Sequence, residues 1–214
     1  EYNRLKLDPT IRETPALRRK VRAIVSRDET GSTSSFKKFP GGYLQLVGAT
    51  TPKQLEMRTA RVIVFEEISK YPRDVEGRGS PIKLAMSRTD MWTGREKVFD
   101  CSTPHIKGQC EVSEQYEAGS RAAYHVPCPH CGERQELLFA RLRFDQDADP
   151  ESLGDVTYDC AGCGVEIAHH HLPAMLAPGA GRWVHDRPEL EDVLTCYLIN
   201  ILYSPVVTWR VVSQ

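Results

Sequence analysis

Two short runs, CPHCG at residues 128–132 and CAGCG at residues 160–164, constrain this chain more than any other feature. A C-x-x-C pair offers two thiolates to one ion, and the backbone N–H groups that follow turn back toward the sulfurs. Gly132 and Gly164 permit the tight turn that this requires. The 28 residues between Cys131 and Cys160 suffice for a small antiparallel excursion. The pattern therefore predicts a zinc ribbon over residues 124–168, with Cys128, Cys131, Cys160 and Cys163 as ligands. Four protein thiolates close the coordination sphere, so such an ion is structural and not catalytic. Redox-active dithiols would need a thioredoxin-like βαβ setting, which the flanking residues do not provide. The segment shows little other core, so it is expected to lose its structure with the metal. Cys101, Cys110 and Cys196 have no partner spacing and read as small buried apolar residues.

With 214 residues, 40% hydrophobic and 27% charged, the chain can build one core or a core with a satellite. No window approaches the roughly 18 apolar residues of a membrane span, and the opening EYNRLKLDPT lacks a signal-peptide pattern. A soluble cytoplasmic protein without a membrane partner is the expectation. Net charge is −1, but residues 1–40 hold ten Lys/Arg against five Asp/Glu, while residues 144–192 hold two against eleven. This asymmetry hints at a basic face for phosphates, although ordinary solvated surface explains it more simply. His169, His170 and His171 read as a solvated loop in preference to a metal site. DQDADP from Asp145 mimics the start of a calcium loop but has Pro150 where glycine is needed and Val156 where glutamate is needed.

The run VIVFEE, residues 62–67, sets an apolar strand against two adjacent carboxylates. Its β-branched and aromatic residues suit a strand buried on both faces of a parallel sheet. Glu66 and Glu67 would then stand at its C-terminal edge, where open α/β sheets bind ligands and acidic side chains hold magnesium and polarise water. A plain solvated strand end is the competing reading. Elsewhere, residues 8–25 suggest a short helix near Pro15, TGSTSSFKKFPGG (30–42) a loop, GYLQLVGA (42–49) a strand, and TPKQLEMRTA (51–60) a helix. IKLAMSRTDMW (82–92) has helical spacing, and EKVFDCSTP (96–104) is a strand ending in Ser102 and Thr103. Strand, helix and strand in alternation predict a parallel α/β sheet that brings the carboxylates and the hydroxyls to one edge.

In this order, GGYLQLVGATTPKQLEMRTARVIVFEEISKYP, GRGSPIKLAMSRTDMW, KVFDCSTP, YHVPCPHCGERQELLF, YDCAGCGVEI, GRWV and NILYSP, the sequence resembles the large terminase subunit of the lambda-type (GpA-like) double-stranded DNA phages. The resemblance implies a motor ATPase that packages viral DNA into procapsids. Its fold would be a P-loop NTPase sheet carrying a zinc ribbon, and its cofactors ATP, Mg2+ and a structural zinc. Its partners would be double-stranded DNA, the small terminase subunit, the portal and further copies in a ring. Carried over, Glu67 matches the catalytic glutamate of the Walker B strand, and Ser102 and Thr103 match the coupling motif. Glu66 stands where the family has a magnesium-associated aspartate, a departure of one methylene. Arg88 is a phosphate or structural arginine, with the structural role preferred.

The sequence contains no G-x-x-x-x-G-K-[ST] loop, and GSTSSFKKF lacks both its second glycine and its strand–loop–helix setting. Under the resemblance, residues 1–123 are a partial ATPase domain, 124–168 the ribbon, and 169–214 a return to the ATPase domain leading toward a nuclease. The chain reads as an internal fragment that binds ATP poorly and turns it over little on its own. A helicase-like ATPase and a zinc-ribbon binding module with an inert strand edge are the alternative classes.

Overall fold

A computed structural model describes residues 2–21, 32–105, 110–145, 147, 149 and 153–213. It is a mixed α/β structure of small sheets, and the chain divides into two compact units, Glu1–Thr103 and Pro104–Gln214. No helix is long and apolar enough to cross a membrane among the described residues.

In the first unit a π-helical turn, Asn3–Leu7, leads into α1 (Asp8–Glu13) and α2 (Pro15–Lys20). Thr14 between them is extended, the conformation favoured before a proline. The short helix expected near Pro15 is α2, with α1 preceding it, and residues 22–25 of that segment lie outside the described ones. The expected loop over 30–42 contains a strand instead. β1 (Phe36–Phe39) pairs antiparallel with β2 (Gly42–Gln45) around the turn at Pro40 and Gly41, where Gly41 takes φ +84°. Phe36 stacks on Tyr43 with centroids 4.9 Å apart, and the Arg58 guanidinium lies over both rings. Lys37, polar in sequence, is buried with its ammonium 2.6 Å from Asp8. The pairing supplies the physical reason that FKKF forms a strand despite its charges.

After α3 (Pro52–Glu56), β3 (Val62–Glu66) runs parallel to β4 (Lys97–Cys101), with Glu66 opposite Cys101. Between them lie α4 (Pro81–Met86) and a 3-10 turn over Ser87–Trp92, in agreement with the helical spacing there. One face of this pair is covered, with Phe65 buried alongside Ile68, Val75, Ile82 and Ala85. The other face is not: Val62, Val64 and Phe99 are 51%, 66% and 60% exposed. The expectation of a strand buried on both faces is thus corrected to a one-sided strand.

The second unit opens with α5 (Glu111–Ala118) and β5 (Ala122–Pro127). β6 (Arg134–Glu136) pairs antiparallel with β5, and β7 (Leu142–Arg143), β8 (Thr157–Asp159) and β9 (Glu166–Ala168) form a separate antiparallel sheet. α6 (Leu172–Met175) follows. β10 (Arg182–His185) then pairs antiparallel with β5, β11 (Tyr197–Leu198) pairs parallel with it, and α7 (Trp209–Val212) ends the unit. A single core joins Val126, Leu137, Tyr158 and Ile167 to Leu202, Tyr203 and Trp209. Residues 124–168 and the segment after them therefore share one interior, and the expectation that the cysteine segment has little core of its own does not hold.

Polar hooks fix this core. Tyr203 donates its hydroxyl to the Tyr124 carbonyl and accepts the Leu137 N–H at 2.8 Å. Tyr158 donates to the Glu136 carbonyl and accepts the Leu138 N–H, at 3.0 and 3.1 Å. Asn200 donates to the Leu137 carbonyl at 2.7 Å while its side-chain oxygen caps Leu202. The motif NILYSP thus closes the unit by satisfying backbone groups around Leu137. Burial pushes the Tyr203 phenol well above its ordinary value. The histidine run is a 3-10 turn and not a loop: the His169 ring packs edge-on against Trp209 at 5.2 Å. Cys110 is buried and Cys196 half-buried, but Cys101 is exposed, contrary to its reading as a core residue. Gln146, Ala148, Pro150, Glu151 and Ser152 of the acidic stretch lie outside the described residues.

Candidate functional site

Two places gather chemistry-bearing side chains. The first is the C-terminal edge of the parallel pair. The ladder continues one residue beyond β3, since the Glu67 N–H donates to the Cys101 carbonyl at 2.8 Å. Glu67 then turns the chain into a 3-10 turn over Ile68–Lys70 by adopting φ 59°, ψ 43°. This left-handed conformation costs a residue with a Cβ about 1–2 kcal/mol, and such strain concentrates at functional sites. The Glu67 carboxylate, 45% exposed, pairs with Lys70 Nζ at 3.1 Å. Glu66 is exposed beside it. Partial desolvation and the Glu66 carboxylate, to which its hydroxyl is hydrogen-bonded, hold the Tyr2 phenol above its usual value. Tyr71 is likewise raised, first by burial, and its hydroxyl meets the Glu66 backbone.

The neighbouring strand ends on the same edge. Ser102 Oγ accepts the Ser69 N–H at 3.1 Å and bonds the Ser69 hydroxyl at 2.7 Å, which ties the end of β4 to the turn two residues after Glu67. Thr103 follows, exposed. Glu66, Glu67, Ser102 and Thr103 therefore stand together at two adjacent strand ends. Arg88 is engaged elsewhere: it donates to the Glu56 carbonyl at 2.8 Å and to Ser87 Oγ at 2.8 Å, so its fork holds one backbone carbonyl and one hydroxyl. Sequence reading missed Ser69, Lys70, Tyr2 and Tyr71, since none belongs to a spaced motif.

The second place is the cysteine cluster. The ligand atoms of Cys128, Cys131, Cys160 and Cys163 all lie within 4.8 Å of one another, and the Cys131 and Cys160 sulfurs are 3.7 Å apart. A tetrahedral zinc with bonds of about 2.3 Å sets its sulfurs about 3.8 Å apart, so the geometry fits such an ion. The two knuckles repeat one hydrogen-bond pattern. Cys128 N–H donates to Glu133 and Gly132 N–H back to Cys128, at 2.8 and 3.0 Å; Cys160 to Val165 and Gly164 to Cys160, both at 3.1 Å. Gly132 and Gly164 take φ +76° and +71°, the conformation that makes glycine the fitting residue there. The first cysteine of each pair is buried and the second exposed.

Backbone N–H groups of His130 and Gly162 point at Cys128 and Cys160 Sγ, each at 3.4 Å. Burial pushes the Cys160 thiol up, but N–H groups of Cys163 and Gly162 and the neighbouring thiols outweigh it and bring it down to about 6. Burial raises Cys128. One thiolate thus forms readily in the cluster, and a cation is what would let its neighbours ionise as well. Gln135, buried beneath the knuckles, was not singled out by sequence.

The model of the family described as "Phage terminase large subunit gpA, ATPase domain" matches residues 1–183. The chain is 30% identical to the terminase large subunit of Enterobacteria phage P21 over 98% of this chain and 35% of that protein. It is 26% identical to the terminase large subunit of Escherichia phage lambda over 97% of this chain and 35% of that protein. It therefore spans about a third of the length of these relatives. No solved structure matches it. With the match running from the first helices through both strand ends and both cysteine pairs, the chain belongs to the family of phage terminase large subunit gpA ATPase domains.

Proposed function

We propose that Glu66, Glu67, Ser102 and Thr103 form the acidic strand end and coupling edge of a P-loop-type ATPase, and that the full-length protein uses ATP to drive double-stranded DNA into viral procapsids. One observation carries the reading: in a parallel register, the turn that follows Glu67 is hydrogen-bonded through Ser69 to Ser102. Water activation at one strand end is thereby joined mechanically to the hydroxyl at the next. Glu67 orients or deprotonates the attacking water, and Glu66 holds the water shell of a magnesium ion. When bound, that ion neutralises charge on the transferred phosphoryl group. Lys70 must release the Glu67 carboxylate for this role, a small cost for a pair this exposed. Ser102 and Thr103 pass the nucleotide state on. Arg88, spent on Glu56 and Ser87, is structural.

In the same reading, residues 1–123 and 169–214 belong to the ATPase domain and 124–168 to a zinc ribbon with a structural ion on the four cysteines. The small terminase subunit, the portal and further copies of the chain are the partners, in the cytoplasm of the infected cell. Glu67→Gln in the full-length protein should lower ATP hydrolysis about 10²–10⁴-fold while nucleotide binding persists, since shape and polarity are kept. Paired turnover and binding measurements test this; wild-type turnover in the variant would sink it.

A further inference from the structure

We propose that Gln135 is a positioning residue of the cysteine site that ties one knuckle to the other; this rests on the reading of the cluster as a metal site. Gln135 is 5% exposed and lies on β6, just past the first knuckle, with its backbone in register with Val126. Its side chain is spent wholly on the second knuckle. Oε1 accepts the Ala161 N–H at 2.6 Å, and Nε2 donates to Cys160 Sγ at 3.5 Å. Cys160 also receives the N–H groups of Gly162 and Cys163, so Gln135 adds a donor that the knuckle's own backbone cannot supply.

The choice of an amide follows from the surroundings. Ala161 requires an acceptor and the Cys160 sulfur a donor, and one neutral side chain meets both. Four thiolates around a divalent cation leave two negative charges in excess, which N–H donors disperse and a carboxylate would increase. The donor comes from the strand of the opposite knuckle, so it also fixes the spacing across the site, where the Cys131 and Cys160 sulfurs stand 3.7 Å apart.

The test uses the full chain, loaded with zinc, and two variants. Gln135→Leu keeps volume and removes both bonds. Gln135→Glu keeps the acceptor for Ala161, loses the donor and adds charge. Zinc affinity by chelator competition should fall about 10–100-fold in both, with Gln135→Glu at least as weak as Gln135→Leu. The thiolate-to-metal absorption of the Co2+-loaded protein should shift in both, which a mere loss of packing would not produce. Circular dichroism at saturating zinc checks that each variant is folded, and Gln135→Glu, near isosteric, supplies the reading if Gln135→Leu is not. Wild-type affinity and an unshifted Co2+ spectrum in a folded variant overturn the proposal. A wild-type chain that takes up no zinc overturns the metal reading beneath it, a distinct result.

Discussion

The two units solve the problem of a small chain differently. The second draws Val126, Leu137, Tyr158, Ile167, Leu172, Leu202, Tyr203 and Trp209 into one interior and satisfies the backbone around Leu137 with two tyrosines and an asparagine. The first covers one side of a two-stranded parallel sheet and leaves Val62, Val64 and Phe99 in solvent on the other. Its chemistry sits on that lightly supported sheet, at a strained residue, whereas the cysteine cluster sits on a packed foundation. The lesson is that stability and candidate catalysis are divided along the chain. Elements that must move during a cycle are drawn from the less stable part of a protein.

The sharpest way to break this contrast is Trp209→Ala. Trp209 is fully buried against Tyr158 and donates its indole N–H to the Leu202 carbonyl at 2.9 Å. Its loss should destabilise the second unit by about 3–5 kcal/mol. Hydrogen exchange should then rise in β5, β6 and β8 and stay unchanged in β3 and β4; a change spread evenly over both units would show that they are not separate. Metal removal should act on the same unit but less completely. A zinc ion held as proposed would contribute about 4 kcal/mol at free zinc of about a thousand times its Kd, and the Trp209 core would remain on its removal. Chelation should lower the melting temperature without abolishing the transition.

The metal-free, reduced chain should also respond to pH. The Cys160 thiol lies at about 6 in the folded unit against an ordinary 9.0, so it adds stability that is fully present above the ordinary value. That contribution declines as pH falls below 9 and is lost on passing through about 6. Melting curves between pH 5 and 9 check the slope, and a flat profile would contradict it. The smallest effect is expected in the first unit. Glu67→Gly should stabilise the folded chain by about 0.5–1 kcal/mol by relieving the left-handed backbone, while removing hydrolysis from the full-length protein. Such opposed effects would mark Glu67 as a residue kept for function, and denaturant midpoints give the measurement.

What could be read in advance follows a physical division. The knuckles were legible because metal-ligand spacing and turn glycines are local. β3 and β4 were legible because an apolar run ended by charge survives any tertiary setting. The hairpin at Phe36–Gln45 was not, because Lys37 reads as surface until Asp8, far away in sequence, is seen to receive it. The exposed face of β3 was not, because an apolar run gives no sign of which side lacks a neighbour. The core under the cysteines escaped notice since its members come from short separate segments, with Tyr203 bonded to residues 66 and 79 positions earlier. Gln135 escaped for the same reason.

That long reach has a consequence for how the chain is made. Both knuckles emerge during synthesis well before Leu202, Tyr203 and Trp209, the residues that complete the core shared by Cys128 and Cys160. At about 5–20 residues per second, the interval is on the order of seconds. The knuckles are free of that core throughout it, so the proposed ion could be bound by a nascent chain before the last turns bury Cys128 and Cys160. Order of translation would thus set when Cys128 and Cys160 are covered, while Cys131 and Cys163 stay exposed in the finished unit.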